Sequence, residues 1–395
     1  MKRFIFSLLT LCFAIYSTAQ EAKTIKVFEN ALINFADKAE TPSGIIRLQQ
    51  GRLLVKKVTV PEYRKGTDVS VSVTIRSNGD TWDKSGSCFV FKNEDLINVI
   101  NVAQGSKKLP SESGHNNDYN GIKSVSGYDL PIEVLRFMTP FGVGHYSDES
   151  KFPNMRYYRP VSVPKWEEKV VWTQDVSQLE SLLTGTFYIG IWIDTWTDKG
   201  YLADVSLTYS GRPRPKKVVT PLINTIYYVN GQKIPDLFAK TSLKHTINLK
   251  KDIKNAELYY ITTGHGGHSG GDEFTKINNS VYFDTKKVID FIPWRDDCAS
   301  FRRFNPSSGV WTKKDTAIAY NENRERVKKA VEERLASSDL SRSNWCPGSS
   351  VVPENVKLGN LKKGNHSLEI VIPATSNTGD QQNHWLVSCY LVSDK

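Results

Sequence analysis

The sequence is poor in the residues that build metal and redox centres. It carries five cysteines and three methionines in 395 residues. No two cysteines are spaced as a metal clip, which argues against a structural zinc site. No methionine follows Met155, so the second half lacks the thioether that a copper centre could use. A GxxxxGK[ST] stretch is missing, and with it a P-loop. Lys and Arg outnumber Asp and Glu by 52 to 42, but the surplus lies in short runs broken by acids. That is a basic, soluble surface rather than the concentrated stripe or module a nucleic-acid partner requires. Apolar runs of membrane-spanning length are also missing.

What apolar run there is stands first. "MKRFIFSLLTLCFAIYSTAQ" places Lys2 and Arg3 ahead of about a dozen apolar residues, with Ser17 and Ala19 around a cleavage point. Residues 1–19 read as a secretory signal peptide. Leu11 precedes Cys12, where lipid attachment would want a small residue. The mature chain is expected to be secreted or periplasmic, off the membrane. Export permits disulfides among Cys88, Cys298, Cys346 and Cys389.

Most of the remaining chain alternates apolar and polar residues. "DVSVSVTIRS" (68–77), "TGTFYIGIWIDTW" (184–196), "LADVSLTYSG" (202–211), "HSLEIVIPA" and "HWLVSCYLVS" all do so, with Gly, Asn, Asp and Pro between them. Period-two runs separated by turn residues predict an all-β protein of sandwiches. The length exceeds one core, and "YSGRPRPKKVVTP" (209–221), with its prolines and basic cluster, divides the chain. The reading is a domain over 20–212, a linker over 213–220 and a domain over 221–395. Polar residues 91–132 form an insertion or lid. One helix is predicted over 321–337, where Val327, Val331 and Leu335 share a face.

Three acids stand in settings that suit chemistry. "ITTGHGGHSGGDEFT" (261–275) sets Glu273 and Asp272 behind a glycine-rich loop holding His265 and His268. The two histidines could start a metal site but need a third ligand. The glycines let a ligand approach the backbone closely, and a solvated turn acid is the bland alternative. Asp83 follows Trp82 after a strand. Asp194 falls on the period-two face of Trp192 and Trp196, a pattern suited to a sugar ring, or else to a core tryptophan beside a paired acid.

Several motifs together resemble the peptide-N-glycosidase F family, secreted bacterial amidases. These are "TWDKSGSC", "RFMTPFGVG" (136–144), "IDTWTDKGYLADVSLTYSG", "YYITTGHGGHSGGDEF" and, most specifically, "SRSNWCPG" (341–348). The resemblance covers most of both halves but not 91–132 or roughly 145–170. It implies two adjacent eight-stranded antiparallel jelly-roll sandwiches with the active site at their interface. It implies catalytic roles for Asp83, Glu273 and Asp194. Substrate binding falls to Trp82, Lys84, Trp196, Gly267, His268, Arg342 and Trp345, and a disulfide joins Cys298 to Cys346. The implied activity is hydrolysis of the asparagine–GlcNAc amide bond of N-glycoproteins and glycopeptides, through the chitobiose core, by a monomer with neither cofactor nor metal. A glycan-binding module with impaired catalysis and a copper-dependent monooxygenase on paired jelly rolls are the alternatives. Three positions depart from the family: Asp194 stands for the usual Glu, Lys84 for an Arg, and Gly266 for a Trp.

Overall fold

The computed structural model describes residues 22–63, 65–111, 120–154, 163–232, 236–266, 271–378 and 382–395. The expected signal peptide lies outside them, as do Gly267 and His268. Among the described residues, no helix is long and apolar enough to cross a membrane.

The first half supplies β1 (Lys23–Ile33), β2 (Ile45–Leu48), β3 (Leu53–Val60), β4 (Thr67–Ser77), β5 (Ser85–Phe91), β6 (Ile132–Met138), β7 (Val170–Asp175), β8 (Gly185–Ile193) and β9 (Tyr201–Pro213). The second supplies β10 (Lys217–Asn224), β11 (Leu243–Leu249), β12 (Ile253–His265), β13 (Asn279–Phe283), β14 (Lys286–Phe291), β15 (Val310–Tyr320), β16 (Arg326–Ala336), β17 (Ser350–Val351), β18 (Glu354–Leu361), β19 (Gly364–Val371) and β20 (His384–Asp394). Among the described residues, helix is confined to short turns such as α1 (Val99–Ala103) and α2 (Leu237–Lys240).

In the first sandwich a sheet ordered β1-β9-β4-β7 faces one ordered β17-β6-β5-β8-β3-β2. In the second, β10-β20-β12-β18 faces β11-β19-β13-β14. The named strands pair antiparallel throughout. Among the described residues the second pair of sheets holds eight strands, whereas the first holds ten rather than the expected eight: nine from the first half and β17 from the other, paired to β6 through Ser350–Phe137 and Val351–Arg136. Alternation explains β4, whose odd-numbered valines and Ile75 enter the core while its even positions stay half-covered. β5, β6 and β8 are buried on both faces. Ile189, Ile191 and Ile193 fill the first sandwich. Trp192 and Phe89 turn the other way, onto Tyr227, Tyr228 and Val229 of the second half. That second buried face is the interface between sandwiches.

Arg136 fixes the interface. β6 carries an extra residue opposite Cys88/Phe89 of β5, a bulge that brings Glu133 and Arg136 to one side. Arg136 donates twice to Glu133, at 3.0 and 2.7 Å. Its remaining nitrogen donates to Leu386 O at 2.6 Å and Thr263 Oγ1 at 3.2 Å, across the domain boundary.

Three expectations are corrected. The linker is only Arg214–Lys216, because β9 runs to Pro213 and β10 starts at Lys217. The insertion is docked where described: Ser124 and Asn224 exchange backbone bonds with Leu222 and Ile122, and Ile122 is buried in the second core. The helix over 321–337 is instead the β15–β16 hairpin. Asn321 is no helix start; its Oδ1 accepts from the amides of Asn323 and Glu325, and Arg324 takes φ 63° to close the turn. A four-residue spacing puts Val327, Val331 and Leu335 on one face of a strand as well as of a helix, so the pattern did not discriminate. The opposed charges Lys313–Glu333 and Lys314–Glu332 across the ribbon favour the strand pairing.

Candidate active site

Loop 80–84 follows β4 and carries Asp83. Its shape comes from Asp80, which is buried, accepts from Trp82 N at 3.0 Å and takes a hydroxyl bond from Thr195 at 2.8 Å. Tyr201 OH caps Trp82 O, and Ser307 from the second half donates to Thr81 O at 2.9 Å. Trp82 is left 61% exposed.

Glu273 comes from a single turn after the glycine-rich loop. Its neighbour Asp272 is fully buried and serves the fold: its oxygens accept from Trp385 Nε1 at 2.9 Å and from Thr375 N at 3.1 and 3.2 Å. The segment containing "SRSNWCPG" clamps this turn. Ser343 N donates to Glu273 O at 2.9 Å and Ser343 Oγ to Asp272 O at 2.6 Å. Cys346 is disulfide-bonded to Cys298, as expected. Trp345 is 4% exposed and donates to Gly264 O at 2.9 Å. It therefore lies beneath the site, as a floor for Arg342, rather than offering a face to a sugar.

Arg342 joins the two loops. Only 2% exposed, it donates from Nε to Glu273 Oε1 at 2.9 Å and stands 3.8 Å from Asp83 Oδ2. Its other nitrogens hold Leu340 O at 2.7 Å and Ser337 O at 2.9 Å, and its plane packs between Phe274 and Trp345. Burial pushes the Glu273 carboxyl up to about 7, against the opposing pull of Arg342; the nearby Asp83 charge adds to the rise. Burial likewise raises Asp83, while Arg342 and Lys84 pull it down. Two carboxylates thus share one buried guanidinium. They face a cleft of about 500 Å³ lined from the first half by Trp82 and Phe141 and from the second by Phe274, Val310 and Trp311.

Asp194 sits at a different point on the interface and does not line that cleft. Its Oδ2 accepts from Tyr227 OH at 2.7 Å; its Oδ1 accepts from Trp196 Nε1 at 3.0 Å and lies 3.5 Å from Arg52 Nη1. Trp192 and Trp196 separate: the first is core, the second 54% exposed with the Arg52 guanidinium 4.0 Å over its ring. A row of rings runs from beneath Arg342 to Asp194: Trp345, His265 and His384 stack in turn, and Tyr227 meets His384 edge-on. His265 is thus a buried ring in this row, bonded to Thr263 Oγ1 at 2.7 Å. Gly266 has φ 137°, and a Cβ there would stand 2.1 Å from Asn383 Oδ1, so no tryptophan fits this backbone.

Sequence reading missed Phe141, Phe274, Trp311, Arg52 and Tyr227. Arg52 and Tyr227 meet Asp194 only through pairing of distant segments. Trp311 offered a signal, being an aromatic stranded in a polar run.

A family model described as Peptide-N-glycosidase F, N terminal, matches residues 24–209, and one described as Peptide-N-glycosidase F, C terminal, matches residues 233–392. Among solved structures, PNGF-II in a P21 crystal form is 34% identical with a TM-score of 0.80; the match covers 94% of this chain and 66% of that one. The chain therefore spans about two thirds of that protein's length. PNGase F, a glycosylasparaginase from Flavobacterium meningosepticum, shares the fold at 17% identity and a TM-score of 0.61, over 95% of this chain and 96% of its own. No match was found among curated proteins.

Proposed function

The chain belongs to the peptide-N-glycosidase F family, and we propose that it is an amidase that cleaves the bond between the asparagine side-chain carbonyl and the glycosylamine nitrogen of N-glycoproteins. The observation that carries this reading is one buried Arg342 shared by Glu273 and Asp83 at the base of a tryptophan-rimmed interdomain cleft. Such an amide is a poor electrophile, so a positioned water and managed protons are what a protein must supply.

Glu273, held up to about 7, is a base near neutrality. In its ionised form it takes a proton from water as the water oxygen bonds to the amide carbon. Asp83, whose carboxyl burial raises, in its protonated form gives a proton to the glycosylamine nitrogen as the carbon–nitrogen bond breaks. The new carboxyl group returns a proton to Asp83, and Glu273 passes the proton it took from water to the released amine, so both acids regain their starting forms. The products are aspartate in the polypeptide and a 1-amino-oligosaccharide, which loses ammonia in water. Arg342 balances the cluster's negative charge throughout. Trp82 and Trp311 offer faces to the first sugars, and Asp194, oriented by Tyr227 and Trp196, hydrogen-bonds a sugar hydroxyl. Lys84 adds positive charge beside Asp83 without the fork of an arginine. Gly267 and His268, which lie outside the described residues, keep the substrate-binding role that the family motif gives them.

The test is incubation of the purified chain with a denatured N-glycoprotein. Glycan release with each occupied Asn converted to Asp supports the reading. A folded protein that releases no class of N-glycan contradicts it.

A further inference from the structure

Beyond Trp311 the β15–β16 hairpin has no part in that chemistry, yet it starts at the cleft. Val310 and Trp311 line the cleft where β15 begins, as does Ser337 just past the end of β16. From there eleven residues of each strand pair only with each other, so among the described residues both outer edges of the ribbon are unpaired. At about 3.3 Å per residue it reaches roughly 35 Å. Its two faces differ. The face bearing Trp311 carries Leu335, Val331, Ala317, Ala319 and Val327, a strip of apolar residues interrupted by Lys313–Glu333 and flanked by Asp315 and Lys329. A solvent-exposed two-stranded ribbon gains little stability by itself, and such a strip is a usual mark of an interaction surface.

We infer that the Trp311 face of this hairpin docks the polypeptide flanking the glycosylated asparagine, as an extended, apolar-containing segment. The inference rests on the amidase reading for the identity of the polypeptide. Continuity decides the occupant: Trp311 packs on Phe274 beside Arg342 and Glu273 at 5.9 Å between ring centroids, so a chain lying on the strip runs into the reacting position. The mixed charges Lys313, Glu333, Asp315 and Lys329 on this face suit polypeptides of varied sequence.

The test compares Ala317→Glu/Val331→Glu, on the Trp311 face, with Thr316→Glu/Ile318→Glu on the opposite face. Both are far from the carboxylates, and circular dichroism checks folding. Two substrates are used: a glycopeptide with one residue on each side of the asparagine, and a reduced, carboxymethylated N-glycoprotein. The first variant should lose about tenfold in kcat/KM on the long substrate, through KM, which corresponds to about 1.4 kcal/mol of docking. It should stay within about twofold on the short one, and the second variant should match wild type on both. Equal losses in both variants, an equal loss on both substrates, or no loss overturns the inference. Self-association removed by the first variant, without loss on the long substrate, also overturns it. Should the wild-type chain release glycan from neither substrate, the amidase reading fails separately. Docking is then read from fluorescence anisotropy of the same carboxymethylated polypeptide stripped of glycan. Weaker binding by the first variant alone supports docking, and equal binding overturns it.

Discussion

Arg342 donates to Glu273 at 2.9 Å while standing 3.8 Å from Asp83, so a single buried cation sets the ionisation of both acids. Its attraction opposes the burial that raises them. Arg342→Met should therefore push both carboxyl groups further up. The acid limb of the kcat/KM profile moves to higher pH, and activity at neutral pH falls on the order of 10²-fold, as for loss of a placed charge at a reacting centre. Arg342→Lys keeps the charge without the fork and should fall between. An unmoved acid limb in Arg342→Met contradicts the role given to this pair.

Glu273 also links pH to stability. Its carboxyl rises from 4.5 to about 7 on folding, so between those values the folded chain holds a proton that the unfolded chain has released. Its contribution is favourable below pH 4.5, weakens through this window, and is lost above about 7. The size is roughly 3 kcal/mol at most. Glu273→Gln cannot ionise, so its urea stability relative to wild type should rise as pH increases from 4.5 to 7.5. A constant difference across that range contradicts the raised carboxyl.

Arg136 and Glu133 are an ion pair without access to water, and Arg136 also holds Leu386 across the domain boundary. Arg136→Met leaves Glu133 buried and unpaired and should cost about 3–5 kcal/mol in urea unfolding. Adding Glu133→Leu removes the stranded charge and should recover much of that loss. A double variant no better than the single one contradicts the assignment.

Legibility from sequence followed the physics of each signal. Period-two alternation marked β4 and β9 because each turns one side to a core; β20 alternates too, although both of its faces are buried. The same alternation failed at β16, where residues four apart satisfy helix and strand alike. Asp83, Glu273 and Arg342 were reached through motifs, and the structure brings them together. Asp194 was read with the same site, yet it does not line that cleft, and its carboxylate is held by Arg52 and Tyr227. No local pattern records a contact between segments so far apart in the chain. Asp272 and Glu273 are adjacent and chemically alike, and the bonds of Asp272 to Trp385 and Thr375 are what mark it as the structural acid of the two.

The position of bond cleavage tests the account most directly. A single-site N-glycopeptide incubated with the chain in ¹⁸O-labelled water, with the peptide product read by mass spectrometry, reports which bond opens. The account predicts an aspartate carrying one ¹⁸O in its side chain, formed by wild type and essentially lost in Asp83→Asn. A peptide that keeps its asparagine amide after the sugar leaves, or Asp83→Asn retaining most of the activity, would contradict it.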